Sequence, residues 1–382
     1  MTSLPAGFRS RVSNIGIKDN SEDFVLIAAD RPCAAAAVFT KSRFAGCSVL
    51  ISREHSADHE LQAFVVISKN ANVATGPQGL ANANLVVCGV AEALGIAPSR
   101  VLIASTGVIG RQYPIERIEA HLAVLQPPVG NDADACARGI MTTDTFAKLA
   151  EARVGDARIV GIAKGVGMIE PDMATLITLF VTDAAVEAGV LDGVFRRVID
   201  RTFNAVSVDT DTSTSDTAAI MASGTAGPVD LAEFEQALGN VALELTRMVA
   251  RDGEGATTLI EVVVSGAQDT AQAKRVAKSI VNSPLVKTAV HGADPNWGRV
   301  AMAIGKCSDD VDIDQDRVVI GFGDQEVYPA QLDPQGLGLL TEYMQGDEVV
   351  IRVDLNIADG HFTAYGCDLT DGYVRINADY TT

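Results

Sequence analysis

The stretch "KGVGMIEPDMATLITLF" (residues 164–180) joins a glycine-rich turn to an apolar run. Residues 176–181 are almost wholly apolar, which predicts a β-strand buried on both faces. Thr175 stands directly before this strand, and none of the residues beside it carries a side chain that accepts a proton. Since a threonine hydroxyl needs a base before it acts as a nucleophile, the sequence raises the question of which base Thr175 would use.

One base appears if the chain is cut between Ala174 and Thr175, because the cut frees the α-amine of Thr175. This amine has a pKa near ~8 and lies close enough to take the proton of the hydroxyl. The same hydroxyl would make the cut by attacking the Ala174 carbonyl, and water would hydrolyse the resulting ester. Pro171 stiffens the preceding turn. A threonine at a strand start is more often structural, so the spacing by itself leaves both interpretations open.

The composition limits the class of protein. The chain has 382 residues, 47% of them hydrophobic, which is enough for a large buried core. Its net charge of −19 argues against nucleic acid or an anionic membrane as a partner. The six cysteines form no C-x-x-C pair, which predicts reduced core residues. The first residues lack the apolar middle of a secretory signal, and no apolar stretch is long enough to span a bilayer. We therefore expect a cytoplasmic protein.

Strand-like runs occur in groups, with helical segments between the groups. This order predicts an α/β protein in which sheet layers are covered by helices. The longest helix is predicted to begin after Asp230 and to end before Gly253. Residues 361–377 alternate in polarity like strands of a small antiparallel sheet, and we expect a strand to lead straight to the last residue. A change in composition near residue 311 predicts a smaller C-terminal subdomain.

Several motifs fit local structure as well as chemistry. Thr106 and Gly107 in "IASTGVIG" fit a turn after a strand, or a donor pair for an oxyanion. Lys164 fits a strand end, or a cation for a substrate carboxylate. Glu254 fits a solvated loop. The aspartates of "SVDTDTSTSDT" (residues 207–217) lack the glycine and closing glutamate of a calcium loop, and the five histidines lack metal spacing, so we expect no metal site.

Together, long motifs across nearly the whole chain resemble those of the ornithine acetyltransferase family, also called bifunctional glutamate N-acetyltransferases. They include "AAVFTKSRFAG", "IASTGVIG", "MTTDT", "KGVGMIEPDMAT", "DGEGATTLIEV" and "YVRINADYTT". The resemblance implies an αββα sandwich like that of N-terminal-nucleophile hydrolases. It also implies self-cleavage into an α chain of residues 1–174 and a β chain of residues 175–382, assembled at least as an α2β2 heterotetramer.

The same resemblance implies the residues of the site. Thr175 would be the nucleophile and its amine the base, and Thr106 and Gly107 would form the oxyanion hole. The implied reaction is a ping-pong transfer of the acetyl group from N-acetylornithine to glutamate through acetyl-Thr175, without a metal or an organic cofactor. The implied substrate-binding residues, beside Thr175, are Thr143 (with Thr142 as an alternative), Lys164, Glu254, Asn377 and Thr382.

Two departures from the common family pattern affect the pathway. Residues 170–172 read Glu-Pro-Asp, and Thr210 stands where the common pattern has glycine. Both features resemble the paralogue encoded in clavulanic acid gene clusters, so primary arginine synthesis and a specialised pathway stay open, as does acetyl-CoA as a donor. Two other functions also stay open: a self-processing aminopeptidase or amidase with water as acceptor, and a non-catalytic member in which Thr175 is structural.

Overall fold

A computed structural model describes residues 2–18, 20–170 and 176–379, which form two β-sheets and eleven α-helices. The large sheet contains the first eight strands of the described chain. These are β1 (Phe8–Ser13), β2 (Phe24–Phe39), β3 (Glu60–Ile67), β4 (Val101–Ser105), β5 (Lys148–Val154), β6 (Ala157–Lys164), β7 (Ile177–Ala185) and β8 (Thr217–Pro228). The predicted apolar strand is thus β7, and all of its residues except the last are buried.

The large sheet bends in the middle of its longest strand, β2. Its strand order is β4-β3-β2-β8-β7-β6-β5, with β1 paired to β2. The first part of β2 pairs with β1 and β3, and the last part pairs with β8. Between these parts Asp30, Arg31 and Pro32 are exposed, and the register with β3 shifts. Because Pro32 has no N–H to donate, the hydrogen-bond ladder is interrupted where the strand turns.

The bend places the two halves of the large sheet face to face. Alternate side chains of each strand point to one face, and those of both halves meet in one apolar core; its members include Val25, Phe64 and Leu102 from one half and Val160, Leu179 and Ala219 from the other. Helix α4 (Ala133–Gly139) contacts β1 and β2 as well as β5 and β6, so it closes one edge of this core.

Helices cover the outer faces of both halves. On the β2–β4 half lie α1 (Cys47–His55), α2 (Gly76–Leu94) and α3 (Ile115–Leu122). On the β5–β8 half lie α5 (Ala188–Arg201) and α6 (Leu231–Arg251). The side chain of Asp230 caps α6 by accepting from two backbone N–H groups, as predicted. The layers are therefore helix, sheet, sheet and helix, which confirms the predicted αββα sandwich.

The small sheet packs beyond α6, which contacts both sheets. Its strands are β9 (Leu259–Ala267), β10 (Val319–Phe322), β11 (Gln325–Tyr328), β12 (Glu348–Asp354) and β13 (Gly360–Cys367), in the order β11-β10-β12-β9-β13. Its buried side chains share the core of α5 and α6 and pack on α7 (Thr270–Val281). Three further helices follow α7 in this region: α8 (Pro284–His291), α9 (Trp297–Gly305) and α10 (Pro334–Met344).

The two predicted divisions of the chain fall at different places in this architecture. Strands β1 to β6 precede residue 174, whereas β7 and β8 follow it, so a cut there would leave both chains in one sheet. Residue 311 lies between β9 and β10, inside the segment that builds the small sheet. Both divisions stay predictions. Across the described residues, no helix has the length and apolar character that a membrane crossing requires.

Two local predictions are wrong. The last segment is a helix, α11 (Asp371–Asp379), where we expected a strand. Cys88, expected in an apolar core, is exposed on α2, because the buried residues of that helix lie on the opposite face. The other cysteines are free thiols; four of them are buried and Cys307 is half-buried.

Candidate active site

A cavity of about 350 Å³ lies where several strands of the large sheet begin or end. Strands β4 and β6 end beside it and β7 and β8 begin beside it, because β6 and β7 are antiparallel while β7 and β8 are parallel. The cavity brings together six of the predicted site residues, which are Thr106, Gly107, Thr143, Lys164, Glu254 and Asn377. The predicted cleavage site at Ala174 and Thr175 lies outside the described residues, and so does Thr382.

Thr106 and Gly107 form the turn after β4. Gly107 has φ 130°, and a Cβ there would lie 2.2 Å from the backbone carbon of Lys69, so this turn requires glycine. The Thr106 hydroxyl accepts a hydrogen bond from Lys164 Nζ at 3.3 Å. Its own proton therefore remains available for donation into the cavity. This arrangement fits an oxyanion hole, although that role stays a prediction.

Lys164 ends β6, and its side chain is buried at the wall of the cavity. Burial lowers the pKa of its ammonium group. The negative charge of Asp144 opposes this shift, and Asp216 and Glu254 oppose it further, whereas the positive charge of Lys148 adds to it. A buried ammonium at a cavity wall can bind a carboxylate through a charge-assisted hydrogen bond.

Three buried charged side chains lie behind Lys164, and we call Asp144, Lys148 and Asp252 the buried ion cluster. Lys148 Nζ lies 2.8 Å from Asp144 Oδ1 and 2.5 Å from Asp252 Oδ2, and the three side chains are at most 2% exposed. Burial alone would raise the pKa of Asp144, but the charges of Lys164 and Lys148 outweigh it and lower the pKa to about 2. The cluster therefore holds Asp144 as a carboxylate.

The buried ion cluster fixes three segments that line the cavity. Asp144 accepts from the backbone N–H of Thr142 at 2.9 Å and from that of Gly165 at 2.8 Å. Asp252, which follows α6, accepts from the backbone N–H of Thr145 at 3.1 Å and lies two residues before Glu254. The segments around Thr142, Gly165 and Glu254 thus share one set of buried charges.

Both candidate threonines of the "MTTDT" motif line the cavity. The Thr142 hydroxyl lies 3.5 Å from Asp144 Oδ2, and its backbone N–H also donates to that carboxylate. Thr143 also lines the cavity and is exposed. Contact of Thr143 with a substrate, with Thr142 as the alternative, therefore stays a prediction.

Glu254 and Asn377 contact each other directly. The Asn377 side-chain amide donates to Glu254 Oε2 at 2.8 Å, and the Glu254 backbone N–H donates to the Val166 carbonyl at 2.8 Å. Gly255 has φ 71°, and a Cβ there would lie 2.4 Å from Tyr373 N, so glycine lets α11 approach this closely. Two residues far apart in the sequence thereby form one wall of the cavity.

One face of the helix α11, which replaces the expected strand, lies at the cavity. Tyr373, Ile376 and Asn377 lie at helical spacing on one face and line the cavity. Asp371 and Arg375, one turn apart, form an exposed ion pair at 2.8 Å.

Residues 207–217, which we call the acidic loop, form another wall of the cavity. Asp209 accepts from the backbone N–H groups of Met168 at 2.6 Å and Ile169 at 2.7 Å, so this carboxylate holds the turn that precedes the predicted cleavage site. Thr210 has φ 68°, in the left-handed region that a β-branched residue rarely adopts. In the described part of the chain, no three histidine, cysteine, aspartate or glutamate side chains are placed to hold a metal ion.

Asp216 ends the acidic loop at the cavity, and it is 1% exposed. Neither of its carboxyl oxygens makes a hydrogen bond to a described residue. Burial raises its pKa well above the usual value, and the positive charge of Lys164 opposes this shift only in part. The Thr40 hydroxyl donates to the Ser213 carbonyl at 2.6 Å instead. Burial therefore favours the neutral acid at Asp216.

Glu170 and Leu176, the described residues on either side of the predicted cleavage site, are both hydrogen-bonded to the acidic loop. Glu170 Oε2 accepts from the Ser207 hydroxyl at 2.6 Å and from the Asn282 amide at 2.7 Å, and the Glu170 backbone N–H donates to a loop carbonyl at 3.0 Å. On the other side, the Thr217 N–H donates to the Leu176 carbonyl at 2.9 Å. Glu170, one of the departures from the common family pattern, thus has specific partners.

The sequence interpretation missed the buried ion cluster and Asp216. One signal for the cluster was available, because Lys148 has the same phase in β5 as the buried residues Ala150 and Val154. A lysine in the buried phase of a strand requires carboxylate partners. Nothing in the local sequence distinguishes Asp216 from the other aspartates of the acidic loop.

The fold and the cavity together define the class, which is an αββα protein with a cavity of amino-acid size at the strand ends of its large sheet. The chain belongs to the ArgJ family, whose sequence profile matches residues 9–382. It is 59% identical to glutamate N-acetyltransferase Oat2 of Streptomyces clavuligerus over 99% of this chain and 98% of the relative. It is 56% identical to arginine biosynthesis bifunctional protein ArgJ 2 of Nostoc sp., over 100% of this chain and 99% of the relative.

A solved ArgJ structure from Bacillus halodurans is 42% identical in sequence, with a TM-score of 0.49, over 52% of this chain and 96% of its own. The family membership predicted from the motifs is confirmed. Identity to ArgJ 2 of Streptomyces clavuligerus is 43%, lower than the 59% to Oat2 of the same organism. This difference agrees with the resemblance that residues 170–172 and Thr210 indicate.

Proposed function

We propose that this chain is a self-processing acetyltransferase that moves the acetyl group of N-acetylornithine to glutamate. The observation that carries the proposal is one cavity that joins Thr106, Gly107, Lys164 and Glu254, directly beside Leu176, the residue after Thr175. Members of the family are named glutamate N-acetyltransferase or arginine biosynthesis bifunctional protein. The cavity volume of about 350 Å³ suits a substrate of amino-acid size.

Self-cleavage would begin with attack of the Thr175 hydroxyl oxygen on the Ala174 carbonyl carbon. The bond from that carbon to the Thr175 nitrogen breaks, and the nitrogen takes up the proton that the hydroxyl gives up. Water then hydrolyses the new ester, which leaves a carboxylate on Ala174 and an amine on Thr175. Attachment of Glu170 and Leu176 to the acidic loop supports this step, because it limits how far the two sides of the motif can move.

Acetyl transfer would then use the freed Thr175 amine as base. The Thr175 oxygen attacks the acetyl carbonyl, the amine takes the hydroxyl proton and passes it to the leaving ornithine nitrogen, and acetyl-Thr175 remains. Glutamate attacks this ester in the second half of the cycle. The Thr106 hydroxyl and the Gly107 N–H would stabilise the negative oxygen in both halves.

The walls of the cavity suit the charges of these substrates. Lys164 would bind the α-carboxylate, and the Glu254 carboxylate, oriented by Asn377, would bind a substrate amino group. Thr143 would contact the bound amino acid from the neighbouring wall, and Thr382 would join the site from the end of the chain. No metal or organic cofactor has a step in this reaction, because the acetyl group is carried on the protein.

The decisive experiment is intact mass spectrometry before and after incubation with N-acetylornithine. We expect two chains that correspond to residues 1–174 and 175–382, and an acetyl group on the second chain that glutamate removes. The Thr175→Ala variant should remain one chain and carry no acetyl group, whereas Thr175→Ser should still be cut. An uncut native protein that transfers acetyl groups would contradict the mechanism.

The same incubation separates the alternatives. Release of acetate from N-acetylornithine without glutamate would identify a hydrolase with water as acceptor. An uncut chain without activity would identify a non-catalytic member. The proposed cytoplasmic α2β2 assembly predicts a native mass of at least twice 40.0 kDa in solution, and native mass spectrometry can check it.

A further inference from the structure

The Lys164 side chain combines two properties that oppose each other. It is buried, which favours the neutral amine, yet its proposed task of binding a carboxylate needs the ammonium. The groups that face it are Asp144, Lys148, Asp216 and Glu254. The Glu254 carboxylate is bonded to Asn377, and burial favours the neutral acid at Asp216. Asp144 is therefore the strongest fixed negative charge near Lys164.

Asp144 is held in place by contacts that leave it no freedom to move away. One oxygen accepts from Lys148 Nζ and from the backbone N–H of Gly165, the residue after Lys164, both at 2.8 Å. The other oxygen accepts from the backbone N–H of Thr142 at 2.9 Å. The carboxylate thus lies behind Lys164 at a position set by backbone atoms, without blocking the cavity.

We propose that Asp144 is a positioning residue that keeps the Lys164 ammonium charged for substrate binding, and that Lys148 and Asp252 set the strength of this effect. Asp252 draws Lys148 away from Asp144 in part, because Lys148 bonds to both carboxylates. Lys148 also opposes the charge of Lys164 directly, as like charges do. The inference rests on the proposed function, in which Lys164 binds the α-carboxylate of the substrate.

The proposal predicts opposite effects for two variants of the same cluster. Asp144→Asn keeps the shape and an acceptor oxygen but removes the charge, so Lys164 should lose its proton at a lower pH. The double variant Lys148→Met with Asp252→Asn removes one positive and one negative charge together and leaves Asp144 to Lys164 alone. Lys164 should then keep its proton to a higher pH.

The measurement is the pH dependence of KM for N-acetylornithine, made on protein that contains all of residues 1–382, whether cut or uncut. For Asp144→Asn we expect the rise of KM at alkaline pH to begin at least about one pH unit lower, which raises KM about tenfold inside that interval. The kcat should change much less, because the Thr175 amine and the oxyanion donors are untouched. For the double variant we expect the rise of KM to move to higher pH.

A purely structural role would shift both variants in the same way. If both variants raise KM at every pH, or if Asp144→Asn leaves the profile where it is in the native protein, the proposal is overturned. Asp144→Glu, which keeps the charge, should restore the native profile. If Asp144→Asn does not fold, the double variant still tests the proposal, because it retains Asp144. A rise of its KM that begins at a lower pH than in the native protein would contradict the inference.

Failure of the proposed function is a different result. Native protein that transfers no acetyl group from N-acetylornithine to glutamate would contradict the function itself. Native activity with coincident pH profiles for the variants would contradict only the role of Asp144.

Discussion

Asp216 lines the cavity and Asp144 lies behind Lys164, and both side chains are buried, but their surroundings shift the pKa of the two carboxyl groups in opposite directions. Asp144 has two lysines close by and two backbone N–H groups, and its pKa is lowered to about 2. Asp216 has no hydrogen bond to a described residue, and burial raises its pKa. The comparison teaches that burial alone does not decide the charge of a carboxyl group. The number and placement of donors around it decide the outcome.

The two walls also differ in backbone structure. The buried ion cluster connects the segment before β5 with the ends of β6 and α6, and Lys148 is the first residue of β5. In the acidic loop, Asp209 holds the turn that precedes the predicted cleavage site. The same loop contains Thr210 in a left-handed conformation. One wall is thus supported by buried charges, and the other is a loop that contains a residue in a left-handed conformation.

The largest effect should come from Lys148→Met, which removes the cation between two buried carboxylates. Breaking a buried ion pair by removing one partner costs about 3–5 kcal/mol of unfolding free energy, because the remaining charge is buried without compensation. Urea unfolding of the native protein and the variant measures this loss. The control is Arg196→Met, which breaks an exposed ion pair with Asp192 and should cost about 0–1 kcal/mol. Equal losses in both variants would show that the cluster does not fix its wall.

The second effect concerns the donors in front of the cluster. Thr106→Ala removes the hydroxyl that accepts from Lys164 and would donate to the oxyanion, so kcat should fall about 10²–10³-fold. Initial rates of acetyl transfer at saturating N-acetylornithine measure the loss. Thr106→Ser keeps the hydroxyl and should retain most of the rate. A native kcat in the Thr106→Ala variant would contradict the proposed role of Thr106 in the oxyanion hole.

The sequence alone was sufficient for features that depend on neighbours in the chain. The apolar run predicted β7, the Asp230 and Gly253 signals predicted α6, and the turn residues Thr106 and Gly107 were correctly placed at the end of a strand. Each of these rests on periodicity, capping or turn chemistry within a few residues.

The features that the sequence did not reveal depend on contacts between distant segments. Asp252 is 104 residues from Lys148 in the chain, so no local pattern joins them. The helix α11 was missed because a nine-residue segment has too few turns to separate a helical from a strand period, and its packing against Gly255 decides between them. The charge difference between Asp144 and Asp216 likewise follows only from the folded surroundings.

The third effect is the loss of the stabilisation from Asp144 at acid pH. The folded-state pKa of Asp144 is about 2, below the value of ~4 in an unfolded chain. Its stabilisation is therefore present above pH ~4 and is lost as the pH falls toward ~2, by about 2 kcal/mol in total. Urea unfolding at stepwise lower pH should show that the stability difference between the native protein and Asp144→Asn becomes smaller. A difference that is independent of pH would contradict the assigned charge.

Asp216 predicts the opposite dependence on pH. Its folded-state pKa is raised by burial, so the folded protein holds a proton that the unfolded chain releases above pH ~4. As the pH rises above that value, the native protein should therefore lose stability relative to Asp216→Asn, which stays neutral in both states. The same series of urea unfolding curves measures this slope. If the stability difference from the native protein changes with pH in the same direction for Asp144→Asn and Asp216→Asn, the proposed contrast between these two carboxyl groups is wrong.

The smallest effect tests the strained residue of the acidic loop. A left-handed conformation costs an L-residue with a Cβ about 1–2 kcal/mol, and glycine avoids this cost but loses more entropy on folding, about 0.5–1 kcal/mol. Since Thr210 has φ 68°, Thr210→Gly should raise the unfolding free energy by about 0.5–1 kcal/mol. The matched control is Thr214→Gly in the same loop, where φ is not positive and the entropy loss alone should lower stability. If both glycine variants are destabilised equally, Thr210 is not strained. The acidic loop would then differ from the wall that the buried ion cluster supports only in the charge of its carboxyl groups.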